Sequence, residues 1–139
     1  MSNNAVVLHK SEMLTIEYLP DKKMIYHTTH RPVGDADVEE WKEALNKGSQ
    51  ALKDYGISKW LSDDRENGPI PQAIVEWGAT DFTARTVGNG WKYWANVVPK
   101  DLIAAGTYIP IIDQFFKVGL RMRVFSSLDE AFSWMEEVE

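Results

Sequence analysis

Val38, Trp41, Leu45, Gly48, Leu52 and Tyr55 stand 3, 4, 3, 4 and 3 residues apart. That spacing puts all six on one stripe of a single helix, with polar side chains around the rest of it. A helix with one apolar stripe has to rest on another layer, so the segment calls for a layered domain. Asp35 or Asp37 is placed to cap its start, and Glu39 and Glu40 suit the positive end of the helix dipole. Gly56 ends it.

The other layer is written on both sides of this helix. In "LTIEYL", Leu14, Ile16 and Tyr18 alternate with Thr15 and Glu17. "MIYHTTH" alternates from Met24, and "PDKK" between the two runs is turn chemistry, so together they form a hairpin. Residues 6–8 add a short first strand, and "SKWLSD", "KYWANVV" and "LRMRVF" are later ones. A second helix is expected with Pro71 in its first turn, on a less regular stripe of Ile74, Trp77, Gly78, Phe82 and Arg85. A third spans about 101–117 and ends at Gly119, and Pro110 inside it predicts a kink or a break. "SLDE", residues 127–130, is a capping box that opens a last helix. The order β-β-β-α-β-α-β-α-β-α predicts one α/β domain over residues 1–139. Its sheet is mixed, an N-terminal hairpin plus parallel strands, with about four helices. Ligands of such sheets sit beyond the carboxyl ends of the parallel strands. The loops 63–71, 99–101 and 126–127 are expected to meet there.

Composition excludes several chemistries. The chain has no cysteine, so disulfides, thiolate nucleophiles and Cys-ligated metals are out. Its net charge is −6, from 15 basic and 21 acidic residues, which argues against a nucleic-acid face. The one basic cluster, Lys117, Arg121 and Arg123, reads as solvated positions. The opening "MSNNAVVLHKSEM" does not read as a signal peptide, and no stretch approaches the roughly 20 apolar residues of a membrane span. A cytoplasmic protein without membrane or nucleic-acid partners is expected.

The densest acidic run is "KWLSDDRENGPIP". Asp63 and Asp64 could hold a divalent cation, but neighbours on a strand point to opposite sides. The reading favoured is a strand-ending turn with local pairing. His9, His27 and His30 lie on different strands or faces, a weak metal signal. No G-x-S-x-G and no phosphate-cradling glycine motif occurs. Catalytic residues, a metal and a cofactor are therefore expected to be absent. Among six tryptophans, Trp60 is expected in the core, and Trp77, Trp91 and Trp94 on a partly exposed patch.

"YGISKWLSDDR", the strand closing on "VVPK" and the final "RVFSSLDEAFSWM" together resemble the small SpoIIAA-like proteins. These belong to a STAS/CRAL-TRIO-like group widespread in bacteria. The resemblance covers nearly the whole chain, and its motifs are structural. It implies an α/β sheet and a module that acts by binding. The best understood relatives bind a partner kinase and are switched at a Ser in an Asp-Ser-Ser-Gly stretch after the strand corresponding to "KWLSD". Residues 64–73 contain no Ser or Thr, so no such switch carries over.

The expected function is a non-catalytic binding or regulatory module, as a homodimer, with a protein or small ligand as partner. The alternative is a small-molecule-binding protein or weak enzyme with its site near 63–71. Candidate contacts are Asp64, Arg65, Trp77, Trp91, Trp94 and Lys100.

Overall fold

The computed structural model describes residues 4–138. Residues 1–3, which open the stretch read as lacking a signal peptide, and residue 139 lie outside the described residues. Six strands form one sheet among the described residues. They are β1 (Val6–Lys10), β2 (Leu14–Leu19), β3 (Met24–Thr29), β4 (Lys59–Asp63), β5 (Tyr93–Val97) and β6 (Arg121–Phe125), side by side in chain order. β1 to β3 are antiparallel and β3 to β6 parallel. This is the α/β mixed sheet that the sequence predicts.

Because the parallel strands follow in chain order, every crossover steps the same way across the sheet. Right-handed crossovers then place their helices on one face. α1 (Val38–Tyr55) lies there, and Trp41, Leu45 and Leu52 share a core with Leu14, Ile16, Ile25 and Trp60. Tyr55, at the end of the stripe, stays exposed but stacks on Tyr18 at 3.9 Å between ring centres. Gly56 closes α1 in the left-handed region at φ 64°, as its position predicts. Asp37 does not cap α1 itself. Its carboxylate accepts from the Gly34 N–H at 2.8 Å and holds Arg31 at 2.9 and 3.1 Å, which pins the turn before the helix. The Arg31 bond holds this carboxyl down to about 2. α6 (Leu128–Glu137) follows the last strand and is no crossover, so it is free to cover the other face. Ala131 and Met135 meet Leu61, Tyr93, Ala95, Val97 and Phe125. Ser127 caps α6, accepting from the Glu130 N–H at 3.3 Å.

Two helical segments are interrupted. Pro71 is extended (φ −54°, ψ 142°) and precedes the second segment, where the sequence suggests the first turn. That segment runs as α2 (Gln72–Trp77), a π turn over Gly78–Phe82 and α3 (Thr83–Gly88). The π turn spends one extra residue, and Ile74, Phe82 and Thr86 are buried on either side of it and within it. The third segment is broken, as Pro110 predicts, into α4 (Lys100–Ala104) and α5 (Ile109–Lys117). Gly106 makes the turn at φ 73°, and Pro110 falls in the first turn of α5, where its missing donor costs nothing. Neither helix buries a residue.

Of the three tryptophans expected on a partly exposed patch, Trp91 departs from the expectation. Trp41, Trp60 and Trp91 are buried, and Trp77 and Trp94 are half-buried. Trp91 sits between Trp60 (5.7 Å) and Trp94 (5.3 Å), and Phe82 bridges Trp60 to Trp77. Large rings in tilted and edge-on contact fill the space between sheet and helices, which is why the core takes up more of them than expected. The exposed apolar side chains include instead Ile109, Phe116 and Val118, on and just after α5. No helix among the described residues is long and apolar enough to cross a membrane.

Candidate functional site

The parallel register aligns the strand ends, pairing Thr28 with Asp63 and Asp63 with Val97. Strand alternation then sets His27 and Thr29 of β3, Ser62 of β4 and Asn96 of β5 on the face that carries α1. Further up these strands the same face is apolar, with Ile25, Trp60 and Trp94. The sheet therefore turns polar at its carboxyl end, and there His27, Thr29, Ser62 and Asn96 are all buried.

Asp64 continues this face just past β4. Its N–H donates to the Val97 carbonyl at 2.8 Å, which holds the turn against β5. The Asn67 N–H donates back to the Asp64 carbonyl at 3.3 Å, and the Asn67 carbonyl accepts from Val33 at 3.0 Å. Residues 64–67 are thus tied to the chain that leaves β3. The Thr29 hydroxyl donates to Asp64 Oδ1 at 3.5 Å and lies 2.9 Å from His27 Nε2. Trp94 Nε1–H donates to Ser62 Oγ at 3.1 Å. Burial pushes the Asp64 carboxyl up to about 7, and the negative charge of Asp63 adds to it. Hydrogen bonds from Asn67 and Thr29 act the other way. Burial lowers His27 to about 3, so the imidazole is neutral at physiological pH. Tyr108, which precedes α5, is raised by burial and then by Asp64.

Two side-chain oxygens here, Asn67 Oδ1 and Asn96 Oδ1, are buried without a hydrogen-bond partner. A buried acceptor left unpaired costs about 1–3 kcal/mol, so such atoms are scarce in folded chains.

The adjacent acids diverge, as strand geometry requires. Asp63 accepts from Arg65 Nε at 2.9 Å and Nη2 at 2.8 Å, a bidentate pair on the face of α6. Arg65 is thereby turned away from Asp64. Of the candidate contacts, Asp64 and Trp94 belong to the inner face, and Lys100 opens α4 at the same strand ends, exposed. Trp77 packs on Phe82 at 4.8 Å, and Trp91 is core. Among the described residues no three His, Asp or Glu side chains are grouped to hold a metal ion. Thr29, Ser62, Asn67, Asn96 and Tyr108 are not marked out by the sequence, and His27 only as a weak metal ligand. The signal for His27, Thr29, Ser62 and Asn96 lies in "YHTTH", "WLSDD" and "WANVV", where the face that carries α1 turns polar near the strand end.

Comparison with family models, curated proteins and solved structures finds no match for this chain.

Proposed function

We propose that the chain is a non-catalytic binding module of the SpoIIAA-like kind, acting through the carboxyl-end surface of its parallel strands. The observation that carries this reading is the buried polar cluster of His27, Thr29, Ser62, Asn67 and Asn96 around Asp64. Its acceptors outnumber the donors that meet them, which suits a partner better than a closed core. The divergence of Asp63 and Asp64 supports contact rather than chemistry, since the two charges do not converge on one reacting atom. The exposed side chains of α5, Ile109 at 71% and Phe116 at 61%, offer apolar surface for a second copy. Native mass spectrometry of freshly purified protein tests both parts. Bound mass and a dimer are expected, and a bare monomer at every concentration would remove them.

A second reading, a small-molecule binder or weak enzyme, is favoured by one feature. Asp64, held near neutrality beside Tyr108, has the acidity of a general acid or base. If Asp64→Asn leaves every ligand and turnover measurement unchanged, this reading falls.

A further inference from the structure

We infer that the strand-end cluster is a site for a primary ammonium group carried by a small ligand, with Asp64, Asn67 and Asn96 as its acceptors. The inference rests on the binding-module reading and names the ligand class of the same site.

The argument starts from what each group lacks. Asp63 pairs with Arg65, Asp37 with Arg31 and Glu40 with His9 at 2.7 Å. Asp64 has no ion pair among the described residues and is held only by neutral donors, Thr29 and Asn67. The same polar strand-end face carries two unpartnered oxygens, on residues only 8% (Asn67) and 4% (Asn96) exposed. Asn67 is fixed against Asp64 by its backbone bond, and Asn96 lies on the neighbouring strand, level with Ser62 on the same face. One carboxylate and two amide carbonyls form an acceptor set that wants donors and positive charge. A primary ammonium supplies both: three N–H donors on one cation. A carboxylate or phosphate ligand would bring more acceptors and meet none of these needs.

Binding a cation here favours the charged form of Asp64, so affinity and the proton on Asp64 oppose each other. The groups facing Asp64 are Asp63 from β4, Thr29 from β3, Asn67 from its own loop and Tyr108 ahead of α5; His27 reaches it only through Thr29. Of the titratable ones, Asp63 is held in its pair with Arg65, and Tyr108 and His27 stay neutral near pH 7. Asp64 is left as the group that sets the pH dependence.

The test is an NMR titration of the ¹⁵N-labelled full chain with n-butylammonium chloride, read at the side-chain amides of Asn67 and Asn96 and the backbone amide of Asp64. Potassium chloride and tetramethylammonium chloride are run at matched ionic strength. A saturating shift is expected for butylammonium alone, with affinity rising several-fold between about pH 6 and about pH 8. Asp64→Asn should weaken binding about tenfold and flatten the pH dependence. Asn96→Leu should weaken it similarly while raising the melting temperature, which keeps the test intact if the Asp64 variant does not fold. Three results overturn the inference: no saturation, an equal response to potassium, or an equal response to tetramethylammonium. If the amine titration is silent while native mass spectrometry shows bound mass, the ligand class fails and the binding-module reading stands. If both are silent, both fail.

Discussion

Single atoms decide two contacts that matter most to this molecule. A Cβ at Gly48 would lie 2.5 Å from the Trp60 ring, closer than carbon atoms approach. Glycine in the middle of α1 costs helix stability, and here it is kept because the indole occupies the space where a side chain would stand. Gly48→Ala is therefore expected to destabilise by about 1–3 kcal/mol, despite the better helix propensity of alanine. Thermal melts followed by tryptophan fluorescence would show it, and an unchanged melting temperature would mean that Trp60 can move aside. The second contact is at Asp64. An unfolded Asp carboxyl titrates near 3.8, and burial holds this one at about 7. Between those values the folded chain binds more protons than the unfolded chain, so stability falls as pH rises through the window. His27 does the opposite: unfolded it titrates near 6.5, folded at about 3, so its contribution is lost as pH falls through that range. The two slopes oppose each other, each at most about 1.4 kcal/mol per pH unit. Asp64→Asn should therefore gain stability over the natural chain above about pH 7 and lose stability more steeply on acidification. Chemical denaturation at a series of pH values would check both limbs.

At the scale of elements, what could be read from the sequence depended on whether a period stayed intact. α1 kept a 3–4 spacing for its whole length, and both its stripe and its Gly56 end stand where the spacing puts them. Pro110 marked a break for the same local reason, a missing donor and a ring that crowds the preceding turn. The second segment was less legible because the π turn shifts the period by one residue between Trp77 and Phe82. The polar strand ends were harder still. His27, Ser62 and Asn96 each look like ordinary strand residues, and only strand order and register bring them to one place. Trp91 misled because residue type alone does not say whether six large rings can pack on one another. The π turn carries its own prediction. Removing the exposed Ala79 would bring Phe82 seven residues after Ile74 and onto the same stripe of a regular α-helix. The deletion should keep the fold and shift the melting temperature by only a few degrees. Deleting Lys47 from α1 would rotate Gly48 and Leu52 off the sheet and should abolish cooperative unfolding. Circular dichroism melts of both variants would separate these outcomes.

At the scale of the whole molecule, the chain order of the strands fixes where cover is plentiful and where it is scarce. Every crossover helix goes to one face, so α1, α2 and α3 share the work of covering it. The other face depends on α6 alone. Leu61, Ala95 and Val97 have no exposure in the intact chain, and they meet Ala131 and Met135, which have none either. Lys59 extends the attachment, its ammonium donating to the Met135 carbonyl at 2.7 Å, and Lys22 adds a more exposed pair with Glu136 at 2.7 Å. A ten-residue helix thus closes the smaller of the two hydrophobic clusters. Met135→Ala is expected to cost about 2–5 kcal/mol, since a fully buried methionine leaves a cavity beside Leu61 and Tyr93. Ending the chain at Ser126 should go further, exposing the whole of that sheet face, binding a hydrophobic dye and aggregating at micromolar concentration. Adding back residues 127–139 as a separate peptide should restore a cooperative melt, because the lost contacts are side-chain packing onto a preformed sheet. If the shortened chain instead melts cooperatively and stays monomeric without the peptide, the second face does not need α6, and the asymmetry of cover would have no bearing on stability.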